Sequence, residues 1–171
     1  MKNKVLYLIL ILMLVLLTAC SQGDDIINSE YYTDVNEAIA NSITEDDVFL
    51  SVEKYQNTTL LFFERDGGLG TSVLTEKGGK YKFERQTPIT IFESDGEYLT
   101  GGFSIETEKG EKINILSGEV FDPVVSKIIL EDIETKESVE IWSREFSSSR
   151  FFYYVLGDEE YTRKNVISIE G

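Results

Sequence analysis

The spacing of apolar residues along this chain changes three times. Thirteen unbroken apolar residues, positions 5–17, stand behind Lys2 and Lys4 and ahead of the small pair Thr18-Ala19. A charged start, an apolar run and a small-residue end predict a secretory signal over residues 1–19. Residues 21–30 are polar and follow neither a helical nor an alternating period, which predicts a tether. Val35, Ala38, Ile39, Ser42 and Ile43 then recur at helical spacing, with Asp34 and Glu37 at the N-cap and N3 positions of a capping box. Such a short helix is marginal alone, so its narrow apolar face is expected to lie on a sheet.

From residue 48 onward the period is two. Strands are predicted over residues 48–55, 59–63, 69–77 and 81–84, with residues 89–92 continuing the last beyond Pro88. The run at 59–63 (Thr-Leu-Leu-Phe-Phe) is apolar on both sides, as in a strand covered on both faces. Asp66-Gly67-Gly68 and Gly78-Gly79 mark hairpins, and Asp95-Gly96 a further turn. Six short strands are predicted after it, at 98–106, 112–121, 127–132, 138–142, 151–156 and 166–169, with turns at Lys109-Gly110, Asp122-Pro123 and Gly157-Asp158. The fold expected is α+β and predominantly antiparallel: an N-terminal helix packed on a meander (residues 31–95), followed by a β-sandwich-like module (residues 96–171). One domain over residues 31–171 is the alternative.

The residues Leu17-Thr18-Ala19-Cys20 resemble the lipobox of bacterial lipoproteins, and Cys20 is the only cysteine. That resemblance implies that Cys20 carries a diacylglyceryl group, that the chain is cut before it, and that residues 20–30 form a lipidated tether. Two acyl chains suffice for stable attachment. A permanent membrane helix needs roughly 20 apolar residues, more than positions 5–19 supply. An ordinary secreted protein with a free thiol is the remaining alternative. The lipobox implies an extracytoplasmic protein, anchored to the cell membrane through the lipid on Cys20.

Charge and composition narrow the chemistry. Without the signal, 14 basic and 31 acidic residues leave a charge of −17, a surface that repels nucleic acid. No histidine is present, which removes the Ser-His-Asp triad and His-ligated zinc. No cofactor is expected. Carboxylates are the remaining catalytic groups: Glu106 and Glu108 have the spacing of neighbours on one strand face, although the stretch reads better as a solvated hairpin. Glu45-Asp46-Asp47 and Asp158-Glu159-Glu160 are the densest acidic clusters, yet neither has the alternating ligands of a calcium loop. Asp66-Gly67-Gly68-Leu69-Gly70 lacks the following Lys-Ser/Thr of a phosphate loop and reads as a turn. Tyr31-Tyr32 and the run Phe151 to Tyr154 are candidates for a stacking surface, or for core and cross-strand pairs. No catalytic and no metal-binding residue is assigned.

The stretch from Gly118-Glu119-Val120 through Asp122-Pro123 to Leu130, with the aromatic run 151–154, resembles the tail of small, largely uncharacterised secreted proteins and lipoproteins of Gram-positive bacteria. It implies a β module and no reaction. The function expected is therefore a non-catalytic binding or interaction module on the outer face of the cell, with an unknown protein or cell-wall ligand. The alternative is an exported carboxylate enzyme or enzyme inhibitor.

Overall fold

The computed structural model describes residues 31–171, apart from residues 42, 57, 86, 108 and 109 and the side chains of residues 84 and 85. The signal segment, Cys20, the tether, Ser42 and Glu108 lie outside the described residues.

Helix α1 (Val35–Ala40) begins where Asp34 leaves extended backbone. The Asp34 carboxylate accepts from the backbone N–H groups of Asn36 (2.7 Å) and Glu37 (3.2 Å), satisfying donors that a helix start otherwise leaves free. The helix is one turn shorter than its apolar spacing predicts. Ala38 is fully buried, and Ile39 and Ile43 pack against Leu61, Phe63 and Phe83.

Those three residues belong to a four-stranded antiparallel meander of β1 (Val48–Tyr55), β2 (Thr58–Arg65), β3 (Gly68–Lys77) and β4 (Lys80–Arg85), ordered as in the chain. Two-residue turns join its strands, with positive φ at Gln56, at Asp66-Gly67 and at Gly78-Gly79. Such turns match the right-handed twist of paired strands. Within β2 the apolar run divides by parity. Leu61 and Phe63 face the helix side, while Leu60 and Phe62 face the opposite side, all at most 1% exposed. The segment after Pro88 is not a fifth strand or a full continuation of β4. It returns to β3 through one bridge, Thr90 to Leu69, and then sends Phe92 into the core. Asp95-Gly96 is likewise a bend in the long connection to β5 rather than a hairpin turn.

The remaining six strands form two three-stranded antiparallel sheets. A middle sheet contains β5 (Tyr98–Glu106), β6 (Lys112–Val120) and β9 (Phe151–Gly157), in the order β5-β6-β9. A third contains β7 (Val125–Asp132), β8 (Ser138–Ser143) and β10 (Lys164–Glu170), in the order β10-β7-β8. The chain changes sheet at Asp122-Pro123, where the Asp122 carboxylate accepts from the Val124 N–H at 2.8 Å. It changes back through the loop carrying Ser147 to Ser149, held where the Trp142 indole donates to the Ser149 carbonyl at 2.9 Å. The architecture is thus the expected helix on a meander followed by a sandwich-like pair of sheets.

The middle sheet is covered on both faces. Ile105, Ile113, Ile115 and Phe151 meet Leu60, Phe62, Leu69 and Val73 of the meander. From the opposite face Leu116, Val120, Phe152 and Leu156 meet Val125, Ile128, Leu130 and Trp142 of the third sheet. Each half of the chain therefore has one cluster of its own and shares the cluster between meander and middle sheet. Gly118 makes the second contact possible, because a Cβ there would lie 2.2 Å from both Phe152 Cζ and the Leu99 carbonyl oxygen. Among the described residues no helix is long and apolar enough to cross a membrane.

Candidate binding groove

Among the described residues strand β9 pairs only with β6, so its other side is a sheet edge lying between β1 of the meander and β8 of the third sheet. The Val120 N–H donates to the Arg150 carbonyl at 3.0 Å, which sets the alternation of the ladder. Phe152 and Tyr154 turn their backbone groups toward β6, whereas Phe151, Tyr153 and Val155 turn theirs outward. The Phe151 N–H donates to the Ser149 hydroxyl oxygen at 3.2 Å; no strand among the described residues pairs with Tyr153 and Val155 on that side.

Side chains fix this edge firmly. The Tyr153 ring stacks on Phe62 at 4.0 Å, 5° from parallel. Its phenol is raised by burial and by Glu53, against a hydrogen bond with Ser51. Ser51 in turn donates to Glu53 at 2.9 Å. Tyr55 reaches across to Asp158 at 3.3 Å.

Three cavities follow β9. At its start a space of about 170 Å³ lies among Leu50, Phe146, the three serines, Phe151 and Tyr153, and Phe146 is 79% exposed. Next, about 350 Å³ opens between Glu53, Lys54 and Tyr55 on one wall and Glu140 and Ile141 on the other, with Tyr153 to Val155 as the floor. Around Tyr154, which is 37% exposed, a third cavity of about 390 Å³ runs toward Val139, Glu159 and Lys164. In the last, Lys164 bonds Asp132 (3.0 Å) and Glu159 (2.6 Å). The Thr135 N–H, Lys164 and the Glu134 N–H hold the Asp132 carboxyl well below the usual carboxylate range. Glu159 and Asp132 hold the Lys164 ammonium above its ordinary value.

No protein-family model matches the chain, and neither a curated protein nor a solved structure does. The site must be read from its own geometry.

A second arrangement lies between meander and middle sheet. Glu119 is 2% exposed, and burial pushes its carboxyl up, with Glu64 adding to the rise and Arg150 opposing it. Arg150 pairs with it at 2.8 Å while remaining largely in solvent. The Ser149 hydroxyl donates to Glu64 at 3.2 Å. Glu119 continues the inward row of Ile113, Ile115 and Ser117, so a charge at a core-facing parity is the sequence signal that identifies it. None of the three cavities along β9 is lined by Glu64 or Glu119.

The acidic clusters singled out in the sequence are dispersed into local contacts. Asp47 makes a two-pronged pair with Arg65 and accepts from the Thr44 N–H at 2.8 Å, clamping the helix-to-β1 connection onto β2. Its carboxyl is lowered: burial acts to raise it, and Arg65 and Thr44 together prevail. Asp158, Glu159 and Glu160 take three separate partners, namely Tyr55, Lys164 and Thr162. Among the described residues no three carboxylates are placed to hold a metal ion. Glu106 ends β5, and its partner in the proposed pair, Glu108, is outside the described residues. Tyr32 extends the meander by a bridge to Tyr81, leaving Tyr31 at the far edge from β9. Of the run Phe151 to Tyr154, Phe151 and Phe152 are core, Tyr153 is half-buried against it and Tyr154 is exposed.

Proposed function

We propose that this protein is a lipid-anchored envelope protein that performs no chemistry of its own and holds a ligand in the groove along β9. The anchor rests on the lipobox residues ending at Cys20. The observation that carries the binding role is the groove itself: three neighbouring cavities along a sheet edge, linked through Tyr153 and Tyr154 in their linings, with the Tyr153 ring held by its stack on Phe62. Preorganised walls lower the entropy lost on binding. Glu119 is the one observation that favours a carboxylate enzyme. Its burial, its pairing with Arg150 and its separation from the three cavities argue for an internal ion pair instead.

Labelled palmitate tests the anchor. Label should enter the wild-type chain, and Cys20→Ala should abolish it and leave precursor uncut or protein released; undiminished label in the variant would refute lipidation. The binding role is tested with envelope ligands, protein and glycan, on wild type and Tyr154→Ala. Equal retention by both would place recognition elsewhere.

A further inference from the structure

We infer that the groove along β9 recognises an extended polypeptide segment, apolar at one end and basic beyond it, which adds to the middle sheet as a fourth strand. The inference rests on the proposal that this groove is the binding site, and it names the ligand class.

Unpaired backbone groups make the argument. A sheet edge presents a row of N–H and C=O groups that template another strand, and proteins commonly blunt such edges with proline, charge or a cover. β9 has no proline and no charged residue, and its one bulge falls at its far end, beside Leu156. Tyr153 and Val155 point their backbone groups into the cavity between β1 and β8. Adding a strand to such an edge supplies affinity through the main chain and specificity through alternate side chains. From Phe151 to Val155 the edge accommodates about 17 Å of extended chain.

The surroundings select among occupants. Tyr153 already stacks on Phe62, so its ring is not free as a platform for a sugar. The edge lies in a groove walled by Glu53 to Tyr55 and by Glu140 and Ile141, which favours a single strand over the edge of another folded sheet. At the Phe151 end Leu50 and the exposed Phe146 offer apolar contact. Further along, Glu53 and Lys54 on one wall and Glu140 on the other leave two carboxylates to one ammonium at the opening, and the whole chain carries −15. That field draws in a cationic segment and rejects an acidic one. Glu140 also pairs with Lys127 at 2.7 Å, so a basic ligand residue would share it.

The probe is a fluorescein-labelled heptapeptide, Phe-Lys-Val-Lys-Val-Lys-Val, with two twins N-methylated on the lysines or on the second and third valines. Each is titrated against the full chain in detergent micelles, followed by anisotropy. A strand presents alternate N–H groups to one edge. One methylation pattern should therefore weaken binding at least tenfold, roughly one net hydrogen bond or more, while the other leaves it within about threefold. Phe146→Ala should weaken the unmodified peptide, and Glu53→Gln with Glu140→Gln should reduce the salt dependence of binding. Equal effects of the two patterns would overturn strand addition and leave general charge attraction. No peptide binding up to millimolar concentration, with cell-wall glycan retained by wild type and lost in Tyr154→Ala, would overturn it while the groove reading stands. Displacement of the peptide by dimer formation would also overturn it. Failure of every ligand would remove both.

Discussion

Gly118→Ala tests the packing of the middle sheet at its tightest point. The added methyl would stand 2.2 Å from Phe152 Cζ and 2.2 Å from the Leu99 carbonyl oxygen. The ring can turn aside, but the carbonyl belongs to β5 and moves only with its strand. Overpacking of this kind costs about 1–3 kcal/mol, and the loss of unfolded-state freedom on replacing glycine returns about 0.4–1 kcal/mol. A net loss of about 1–2 kcal/mol is expected. Phe152→Leu alone should cost about 1–2 kcal/mol through the space it leaves. In the double variant the ring is gone and only the carbonyl clash remains, so the two changes should couple by at least about 0.5 kcal/mol. Trp142 is the only tryptophan and lies in the same cluster, so its fluorescence through urea denaturation reports the transition directly. Strict additivity, or a Gly118→Ala stability within about 0.5 kcal/mol of wild type, would refute the close contact of β6 with β5 and β9.

Ile39→Asp should lower stability by about 2–5 kcal/mol through loss of a packed side chain against Phe63 and Phe83, whereas Asp34→Ala should cost only about 1 kcal/mol through the cap, both read as melting temperatures. Arg65→Ala leaves the Asp47 side chain, 2% exposed, without its main partner; between the surface and buried cases this should cost about 2 kcal/mol, and Asp47→Asn in the same background should recover part of it. Glu119 binds its proton more tightly when folded, so its contribution favours the folded state at acid pH and is lost as pH rises from the unfolded glutamate value through the raised folded one. Glu119→Gln should remove that decline, and parallel melting curves for variant and wild type across pH 4.5–7.5 would contradict it.

The strands were legible because one buried face imposes a period of two, and the ten predicted segments match strands β1 to β10 apart from small shifts at their ends. What failed was the continuation of β4 over residues 89–92, where a single bridge at Thr90 leaves no periodic trace. The helix face was readable from Val35 to Ile39, whereas its early end was not, because tertiary packing of Ile43 continues the apolar spacing after the helical backbone stops. Pairing between sheets was not readable at all. Nothing local assigns β9 to β6 and β10 to β7, since the choice depends on which faces meet over long sequence separations. The groove is hidden for the same reason: its walls come from residues 53–55 and 140–141, and its floor from 153–155. Asp47 was legible only as part of an acidic cluster because its partner, Arg65, lies 18 residues away.

The double covering of the middle sheet also governs the order in which the molecule can assemble. During synthesis the meander is complete by residue 85, yet Leu60, Phe62, Leu69 and Val73 have no lasting cover until β6 and then Phe151 arrive. Closing those loops comes before the contacts that reward it, which places folding in the slow regime of all-β chains, milliseconds to seconds. Throughout that interval an apolar sheet face is open to any passing strand or membrane surface. The late arrival of β9 therefore sets how long the nascent protein is vulnerable to aggregation, and a chain truncated before residue 151 should remain in that state.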